Sequence, residues 1–330
     1  MDRYALVQDW LNRQLPGRTF SLAPASADAS FRRYFRVALP DRTLIVMDAP
    51  PGQEDCRPFV HVAGLMAAAG LHVPAILAQD LAHGFLLLSD LGSTTYLAAL
   101  DDENADRLFR DAIAALVRWQ LASREGVLPA YDEALLRREL DLFPDWYVRR
   151  HLGIELDASQ REVLQTAFGR ILANNLAQPK TYVHRDFMPR NLMVTEPNPG
   201  VLDFQDAVYG PISYDVASLF KDAFISWEEQ RVLDWTIRYW EAAKRAGLPV
   251  HNDFGEFYRD CEWMGLQRHL KVLGIFARIC HRDGKPAYIK DAPRFLVYVR
   301  AVAERYAQLS PLLRLLDQLA VREPATGSAA

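Results

Sequence analysis

The chain has 330 residues, of which 50% are hydrophobic and 24% are charged. This composition is typical of a globular protein and is sufficient for one large or two modest domains. The formal net charge of −4 argues against a dedicated nucleic-acid-binding protein, and three widely spaced cysteines do not suggest a disulfide framework. No apolar run approaches the ~20 residues of a membrane-spanning helix, and the first residues lack the apolar segment of a signal peptide. We therefore expect a cytoplasmic protein without nucleic-acid or membrane partners.

The first hundred residues predict a small β-sheet. Short strand-like runs, rich in apolar and β-branched residues, cover residues 19–25, 34–39, 43–50, 75–80 and 84–91. A helical segment over 58–69 separates the third run from the fourth and ends at Gly70, a typical helix stop. The last two runs are close enough in sequence to form a hairpin.

The pattern becomes helical after Gly92. Apolar residues recur at helical spacing over 105–123, 132–151, 158–177, 227–246, 253–283 and 291–319. The exception is a short hairpin, formed by "NLMV" and "VLDF" around the turn "TEPNPG". We predict an α+β protein with a sheet-rich N-terminal lobe over 1–92 and a large helical lobe over 93–322. The tail, 323–330, is expected to be disordered.

The stretch "YVHRDFMPRNLMV" carries the strongest functional signal. Asp186 follows His184 and Arg185, Asn191 comes five positions later, and Asp203 ends the next predicted strand in "VLDFQD". A carboxylate that orients a hydroxyl, with an amide and a second carboxylate as Mg²⁺ ligands, is what phosphoryl transfer by a kinase requires. The combination predicts a catalytic loop. We assign His184 a structural hydrogen-bonding role and no proton transfer.

A second His-Arg-Asp stretch, at 281–283, lacks both the asparagine and the strand with an acidic end. It lies inside an amphipathic pattern that ends at Gly284. We interpret it as a helix C-terminus.

At the level of its motifs the chain resembles the aminoglycoside phosphotransferase-type kinase family, which also includes choline and homoserine kinases. The resemblance rests on "LLLSDLG", the catalytic loop, "LDFQD" and "GPISYD". A narrower resemblance, to bacterial cell-wall-recycling kinases of N-acetylmuramate and N-acetylglucosamine, rests on "DASFRRYFRV", "IVMDAPP", "HRDFMPRNLMV" and "QRHLKVLGIFARICHRDGKPAYI". It implies a two-lobed protein-kinase-like fold, with a small antiparallel-sheet N-lobe and a large helical C-lobe.

The resemblance also implies roles for individual residues. Asp186 would be the catalytic base, and Asn191 and Asp203 the Mg²⁺ ligands. The buried Asp215 at a helix start would accept hydrogen bonds from the backbone of the catalytic loop, a role close to that of a helix N-cap. The nucleotide would be ATP. Ser26, Asp28 and Ser30 would cover its phosphates, and the backbone from Ser89 to Leu91 would hold its adenine.

One departure from the kinase pattern concerns the third strand, which usually carries a phosphate-binding lysine. Met47 stands at or near that position, and no lysine precedes Lys180. Either the chain is a pseudokinase or an arginine substitutes, and Arg32, Arg33 and Arg36 follow the predicted phosphate loop directly. Since arginine binds phosphate well and "MDAPP" belongs to the narrower resemblance, we favour an active enzyme, with Arg33 at the nucleotide.

An amino-sugar site needs an apolar platform and a few polar groups. Trp146, beside Phe143 and Tyr147, offers such a platform, although helix packing is an alternative role for all three. The polar candidates are Arg190, Gln267, Arg268, His269 and Lys271. An arginine would suit the lactyl carboxylate of N-acetylmuramate.

The leading hypothesis is a monomeric enzyme that uses ATP and Mg²⁺ to phosphorylate the anomeric hydroxyl of N-acetylmuramate or N-acetylglucosamine, a small-molecule substrate, in peptidoglycan recycling. The alternatives are a kinase for another small alcohol, such as an aminoglycoside, choline or homoserine, and a non-catalytic nucleotide-binding module. The C-terminal segment is not rich in acidic residues, which counts against a cationic aminoglycoside.

Overall fold

The computed structural model describes residues 2–26 and 31–320, and the backbone alone at Ser26. Two of the predicted phosphate-loop residues, Asp28 and Ser30, therefore lie outside the described residues, as does the tail over 323–330. The described chain forms two compact units. The first comprises the residues up to Ala122 together with Pro189–Ala207, and the second comprises Ser123–Met188 and the residues from Val208 onward. The division into lobes at residue 92 stays a prediction.

The first unit is built on a five-stranded antiparallel sheet of order β1-β2-β3-β5-β4. Its strands are β1 (Ser21–Ser26), β2 (Arg33–Ala38), β3 (Thr43–Asp48), β4 (Ile76–Asp80) and β5 (Phe85–Ser89). The sequence predicts all five to within two residues, and the hairpin of β4 with β5 is confirmed. These strands could be predicted because alternating or β-branched runs that are bounded by turn residues are typical of β-strands.

One helix of this unit is absent from the predicted order of elements. Helix α1 (Arg3–Gln14) begins at an N-cap, Asp2, and buries Val7, Trp10 and Leu11 against the sheet. The spacing of these three residues is helical, so the signal was present in the N-terminal segment. The other helices of the unit are α2 (Arg57–Ala68), α3 (Tyr96–Ala99) and α4 (Ala105–Leu121). The predicted hairpin is confirmed as β7 (Leu192–Met193) paired with β8 (Gly200–Val201).

The second unit is mainly helical. It contains α5 (Glu133–Leu140), a π-helix (Phe143–His151), α6 (Ala158–Ala177), α7 (Tyr214–Phe220), α8 (Glu229–Arg245), α9 (Phe254–Asp283), α10 (Ala292–Arg305) and α11 (Ser310–Ala320). Strand β6 (Lys180–Val183) pairs with β9 (Val208–Pro211), and the catalytic-loop region lies between these two strands in sequence. This pair was not predicted. The antiparallel sheet and the helical remainder confirm the predicted α+β class.

Two predicted helices are interrupted, and a proline stands at each interruption. The segment 132–151 divides into α5 and the π-helix, whose first turn contains Pro144. The segment 291–319 divides into α10 and α11, with Tyr306 extended between them and Pro311 in the first turn of α11. Proline lacks the N–H that a continuous helix needs, so a new helix begins there.

The long helix α9 lies at the centre of the hydrophobic core of the second unit. Gly274 allows it to approach the segment before the π-helix closely, because a Cβ atom at this position would lie 2.4 Å from the carbonyl of Leu142. The helix ends as predicted at Gly284, whose φ of 67° is in the left-handed region, so the second His-Arg-Asp stretch is confirmed as a helix C-terminus. Within the two described ranges, no helix has the length and apolarity to cross a membrane.

Candidate active site

The catalytic loop of the second unit starts where β6 ends, and a buried carboxylate holds its backbone. Asp215, in the first turn of α7, accepts the backbone N–H of His184 at 2.7 Å and that of Arg185 at 3.0 Å. Burial raises the pKa of the Asp215 carboxyl to about 7, against the opposing effect of these two hydrogen bonds. Each Asp215 oxygen thus accepts one backbone donor of the catalytic loop. This is the contact that the resemblance implies for Asp215.

Asp186 follows directly on this anchored segment. Its backbone N–H donates to Nδ1 of the buried His184 at 3.2 Å, and its carbonyl accepts the N–H of Met188 at 3.0 Å. The His184 ring also packs edge-on against Phe187. The imidazole therefore acts as an acceptor inside the loop, in keeping with the structural role assigned to it.

Arg185 has an uncommon conformation for a residue with a side chain, with a φ of 75°. Its guanidinium binds Glu139 of α5, which also accepts hydrogen bonds from Tyr131 and from Lys271. Sequence reasoning missed Glu139. The available signal was its position beside Leu136 and Leu140 on the apolar face of α5, where a lone carboxylate needs a cationic partner.

Asn191 and Asp203 meet in the first unit. Asn191 ends a 3₁₀ turn, and its carbonyl accepts the N–H of Leu202 at 2.9 Å, which places Asp203 beside it. The amide of Asn191 donates to one Asp203 oxygen at 3.3 Å, and the amide of Gln205 donates to the other at 2.9 Å. Asp203 has a φ of 62°, which is uncommon for a residue with a side chain.

These two residues fit the ligand chemistry of Mg²⁺. The ion prefers oxygen ligands, and proteins commonly supply one or two carboxylates while water and phosphate fill the other positions. Asp203 provides a carboxylate, and Asn191 provides an amide oxygen besides the amide N–H that it donates to Asp203. Within residues 2–26 and 31–320 no three His, Cys, Asp or Glu side chains form a metal cluster.

The predicted nucleotide residues of the first unit are distributed along the sheet. Met47 is fully buried in β3, while Ser89 uses its backbone N–H and its hydroxyl to bind residue 75. Leu91 is buried. Adenine binding by the backbone from Ser89 to Leu91 stays a prediction.

Each of the three candidate arginines has a carboxylate partner. Arg33 binds Asp48, a fully buried residue at the end of β3 that also binds Arg3. Arg36 binds Asp90 at 2.7 Å and donates to the carbonyl of Gly92, and Arg32 pairs with Glu54 at 2.9 Å. Of the two arginines on Asp48, Arg33 has the more exposed side chain (45% against 28%), so it retains room for a second anionic partner.

The predicted sugar residues lie in the helical unit, except for Arg190, which lies in the first unit. Trp146 is half-buried against the core, whereas Phe143 and Tyr147 are buried and stack on each other at 5.6 Å. Arg190, in the 3₁₀ turn of the first unit, is also half-buried. None of these placements tests a sugar contact, which stays a prediction.

The polar candidates on α9 are all buried, and each has a contact within the unit. Gln267 donates to the carbonyl of Leu136 at 2.9 Å, and Arg268 reaches the sulfur of Met188 at 3.6 Å. His269 lies between the rings of Phe295 and Tyr298, and burial lowers its pKa well below the ordinary value. Lys271 binds Glu139. Arg268 is thus in contact with a residue of the catalytic loop.

Fold and site together define a kinase, and comparison with known proteins supports this class. The chain belongs to the phosphotransferase enzyme family, whose pattern matches residues 21–254. The structure of the GDP complex of wild-type aminoglycoside 2'-phosphotransferase-IIIa is similar with a TM-score of 0.64, covering 92% of this chain and 100% of that one. The two sequences are 13% identical, so this likeness shows the kinase-like fold.

Two curated relatives are much more similar in sequence. An N-acetylmuramate/N-acetylglucosamine kinase of Pseudomonas aeruginosa is 59% identical over 90% of this chain and 88% of its own length. A protein of the same name from Neisseria meningitidis serogroup B is 52% identical over 97% of this chain and 96% of its own length. The predicted family and the prediction of an enzyme are therefore confirmed.

Proposed function

We propose that this kinase transfers a phosphoryl group from ATP to the anomeric hydroxyl of N-acetylmuramate, N-acetylglucosamine or both, forming the α-1-phosphate in peptidoglycan recycling. The observation that carries this proposal is the 59% identity, over nearly the full length of both chains, to a relative named for these two sugars. The same name recurs at 52% identity in a different organism. The catalytic-loop geometry supports the reaction class independently.

Asp186 orients the acceptor hydroxyl in this proposal. The segment before it is fixed at two backbone donors by Asp215, so the carboxylate is presented from a rigid support rather than from a mobile loop. An anomeric hydroxyl is more acidic than an ordinary sugar alcohol. Asp186 therefore acts chiefly by positioning and takes the proton late.

Asn191 and Asp203 are the proposed Mg²⁺ ligands. Bound Mg²⁺ supplies positive charge at the β- and γ-phosphates. The protein contributes the orientation: Gln205 and Asn191 each hold one oxygen of the Asp203 carboxylate, and the link from Leu202 to Asn191 sets the spacing of the two ligands.

Arg33 is the proposed substitute for the missing third-strand lysine. Asp48 aligns its guanidinium at the end of β3, one residue beyond Met47. A guanidinium has five donors, so binding one carboxylate leaves donors for a phosphate. Ser89 to Leu91 is proposed to bind the adenine through the backbone.

The acceptor sugar is proposed to contact Trp146, with Arg190 or Arg268 at the lactyl carboxylate of N-acetylmuramate. Arg268 is fully buried near Met188, which follows Asp186 by two residues. A buried guanidinium favours a carboxylate over a neutral group. N-acetylglucosamine lacks that carboxylate, so a variant at this arginine separates the two sugars.

The test is ³¹P NMR of the purified protein with ATP, Mg²⁺ and either sugar. We expect a new anomeric phosphate doublet, with Asp186→Asn lowering turnover by about 100-fold or more. Unchanged ATP with both sugars contradicts the sugar-kinase proposal. Turnover with an aminoglycoside, choline or homoserine would then identify a different alcohol kinase, and nucleotide binding without any turnover would identify a binding module.

A further inference from the structure

A buried cluster of charges surrounds the arginine that precedes the catalytic aspartate. The Glu139 carboxylate accepts Arg185 and Lys271 on one oxygen and the Tyr131 hydroxyl on the other. Lys271 lies 3.1 Å from Glu139 and donates to the hydroxyl of Tyr214 at 3.0 Å. The exposed fractions of the side chains are 6% for Glu139, 8% for Lys271 and 20% for Arg185. All five residues belong to the second unit.

Stability alone does not account for such a cluster. Removing several charges from water carries a desolvation cost that their mutual attraction offsets only in part, and apolar residues of similar volume often serve as well. The cluster contains two cations and one anion, and the Asp186 carboxylate also acts on both cations. The Glu139 carboxylate is therefore better explained by a role in fixing the position of another residue.

The residue it holds is Arg185, and it holds the side chain while Asp215 holds the backbone. Asp215 accepts the Arg185 N–H at 3.0 Å, and Glu139 binds the guanidinium. These two anchors, on different helices, fix a residue whose φ of 75° is strained for a side chain. The next residue is Asp186, so the orientation of the Arg185 peptide determines the direction of the Asp186 side chain.

We propose that Glu139, supported by Lys271, is a positioning residue for Asp186. This inference rests on the proposed function, because it assigns Glu139 to the phosphoryl-transfer step. Lys271 fixes the Glu139 carboxylate, and Glu139 keeps the Arg185 guanidinium turned toward α5. Without the Glu139 carboxylate, the Arg185 guanidinium attracts the carboxylate of the next residue, Asp186. This attraction draws the Asp186 side chain away from the acceptor hydroxyl.

The second unit offers a closely matched control. Glu262 on α9 is also buried, accepts the Tyr306 hydroxyl at 2.6 Å and binds Arg305. It therefore has the same kinds of partner as Glu139, a tyrosine and an arginine, but neither of them belongs to the catalytic loop. Substituting each glutamate by glutamine removes a comparable buried ion pair.

The experiment compares Glu139→Gln with Glu262→Gln in the full-length protein. We measure kcat and both KM values with ATP and N-acetylglucosamine, and hydrogen–deuterium exchange of peptides that cover residues 182–188. For Glu139→Gln we expect kcat to fall by about 100-fold, as for a catalytic group displaced by ~1 Å, with both KM values within about threefold of wild type and faster exchange in 182–188. For Glu262→Gln we expect kcat within about threefold and no local change in exchange, whatever its stability.

A fall in kcat for Glu139→Gln that is no larger than the fall for Glu262→Gln overturns the proposal, and so does an unchanged exchange rate in 182–188. If Glu139→Gln does not fold, the double variant Glu139→Gln/Lys271→Met takes its place, since it restores the net charge of the cluster. A folded double variant with wild-type kcat also overturns the proposal. A wild-type protein without sugar-dependent turnover refutes the proposed function instead, and the exchange comparison still decides whether Glu139 orders the loop.

Discussion

Arg185 donates its backbone N–H to the buried carboxylate of Asp215 at 3.0 Å while its guanidinium binds Glu139. The residue before the proposed catalytic aspartate is thus fixed at both ends in the left-handed region, where glycine is more usual. An arginine in that conformation indicates that its side chain is needed there.

Two substitutions of Arg185 separate the effect of its strained backbone from the effect of its side chain. We expect Arg185→Gly to keep a free energy of unfolding within about 1 kcal/mol of wild type, because glycine relieves the positive φ and Lys271 still neutralises Glu139. Arg185→Ala keeps the strain and should be about 1 kcal/mol less stable than Arg185→Gly. Urea denaturation measures both. Equal stability of the two variants would contradict stored strain, and a kcat within threefold of wild type for Arg185→Gly would show that the side chain is dispensable.

The arginines on Asp48 test the nucleotide proposal. Arg33→Met should raise the KM for ATP by about 10-fold, the loss of one charge-assisted hydrogen bond to phosphate. Arg3→Met removes the other partner of the same buried carboxylate, from α1, and is the matched control: its KM for ATP should change less than about twofold. Equal effects of the two substitutions would attribute the change to the loss of an Asp48 partner rather than to a phosphate contact.

The Glu139 cluster should make stability depend on pH in the acid range. Burial acts to raise the pKa of Glu139, but Lys271 and Arg185 outweigh it and hold the pKa below its ordinary value of 4.5. A depressed folded-state pKa stabilises the protein above 4.5, and this contribution is lost as the pH falls through the folded-state value. We therefore expect the difference in unfolding free energy between wild type and Glu139→Gln to narrow from pH 7 to pH 3.

Tyr131→Phe is the control for this titration. It removes one hydrogen bond that helps to lower the pKa of Glu139 but leaves the carboxyl and both cations, so its stability should still fall in acid, beginning at a slightly higher pH than in wild type. Thermal unfolding at a series of pH values measures all three proteins. A difference between wild type and Glu139→Gln that stays constant over this range would contradict an ionised Glu139.

Gly274 tests the packing of the helical unit, and Gly64 in the first unit is its control. Gly274→Ala places a methyl group 2.4 Å from the Leu142 carbonyl and should lower the free energy of unfolding by about 2 kcal/mol. Gly64→Ala, on an exposed position of α2 with no atom within 4 Å, should instead raise it by about 0.5 kcal/mol. Chemical denaturation measures both. A Gly274→Ala protein as stable as wild type would show that α9 can move away from this segment.

Local sequence patterns carried most of the fold and the core of the candidate site. The five sheet strands and α6 follow from alternation and helical periodicity, which depend on neighbours within a few residues. The breaks at Pro144 and Pro311 could have been read from the same sequence, since proline acts on its own helix. Helix α1 also had a local signal, in Val7, Trp10 and Leu11.

By itself the sequence determined the fold class and the chemistry of the proposed loop, because Asp186, Asn191 and Asp203 are spaced by chain connectivity. The tertiary structure decided the partners of the charges. It pairs Lys271, a sugar candidate by sequence, with Glu139, and it divides Asp48 between Arg3 and Arg33. A buried charge pairs with an opposite charge that the packing of the chain brings close to it. Because that partner lies far away in the sequence, local sequence patterns do not predict it.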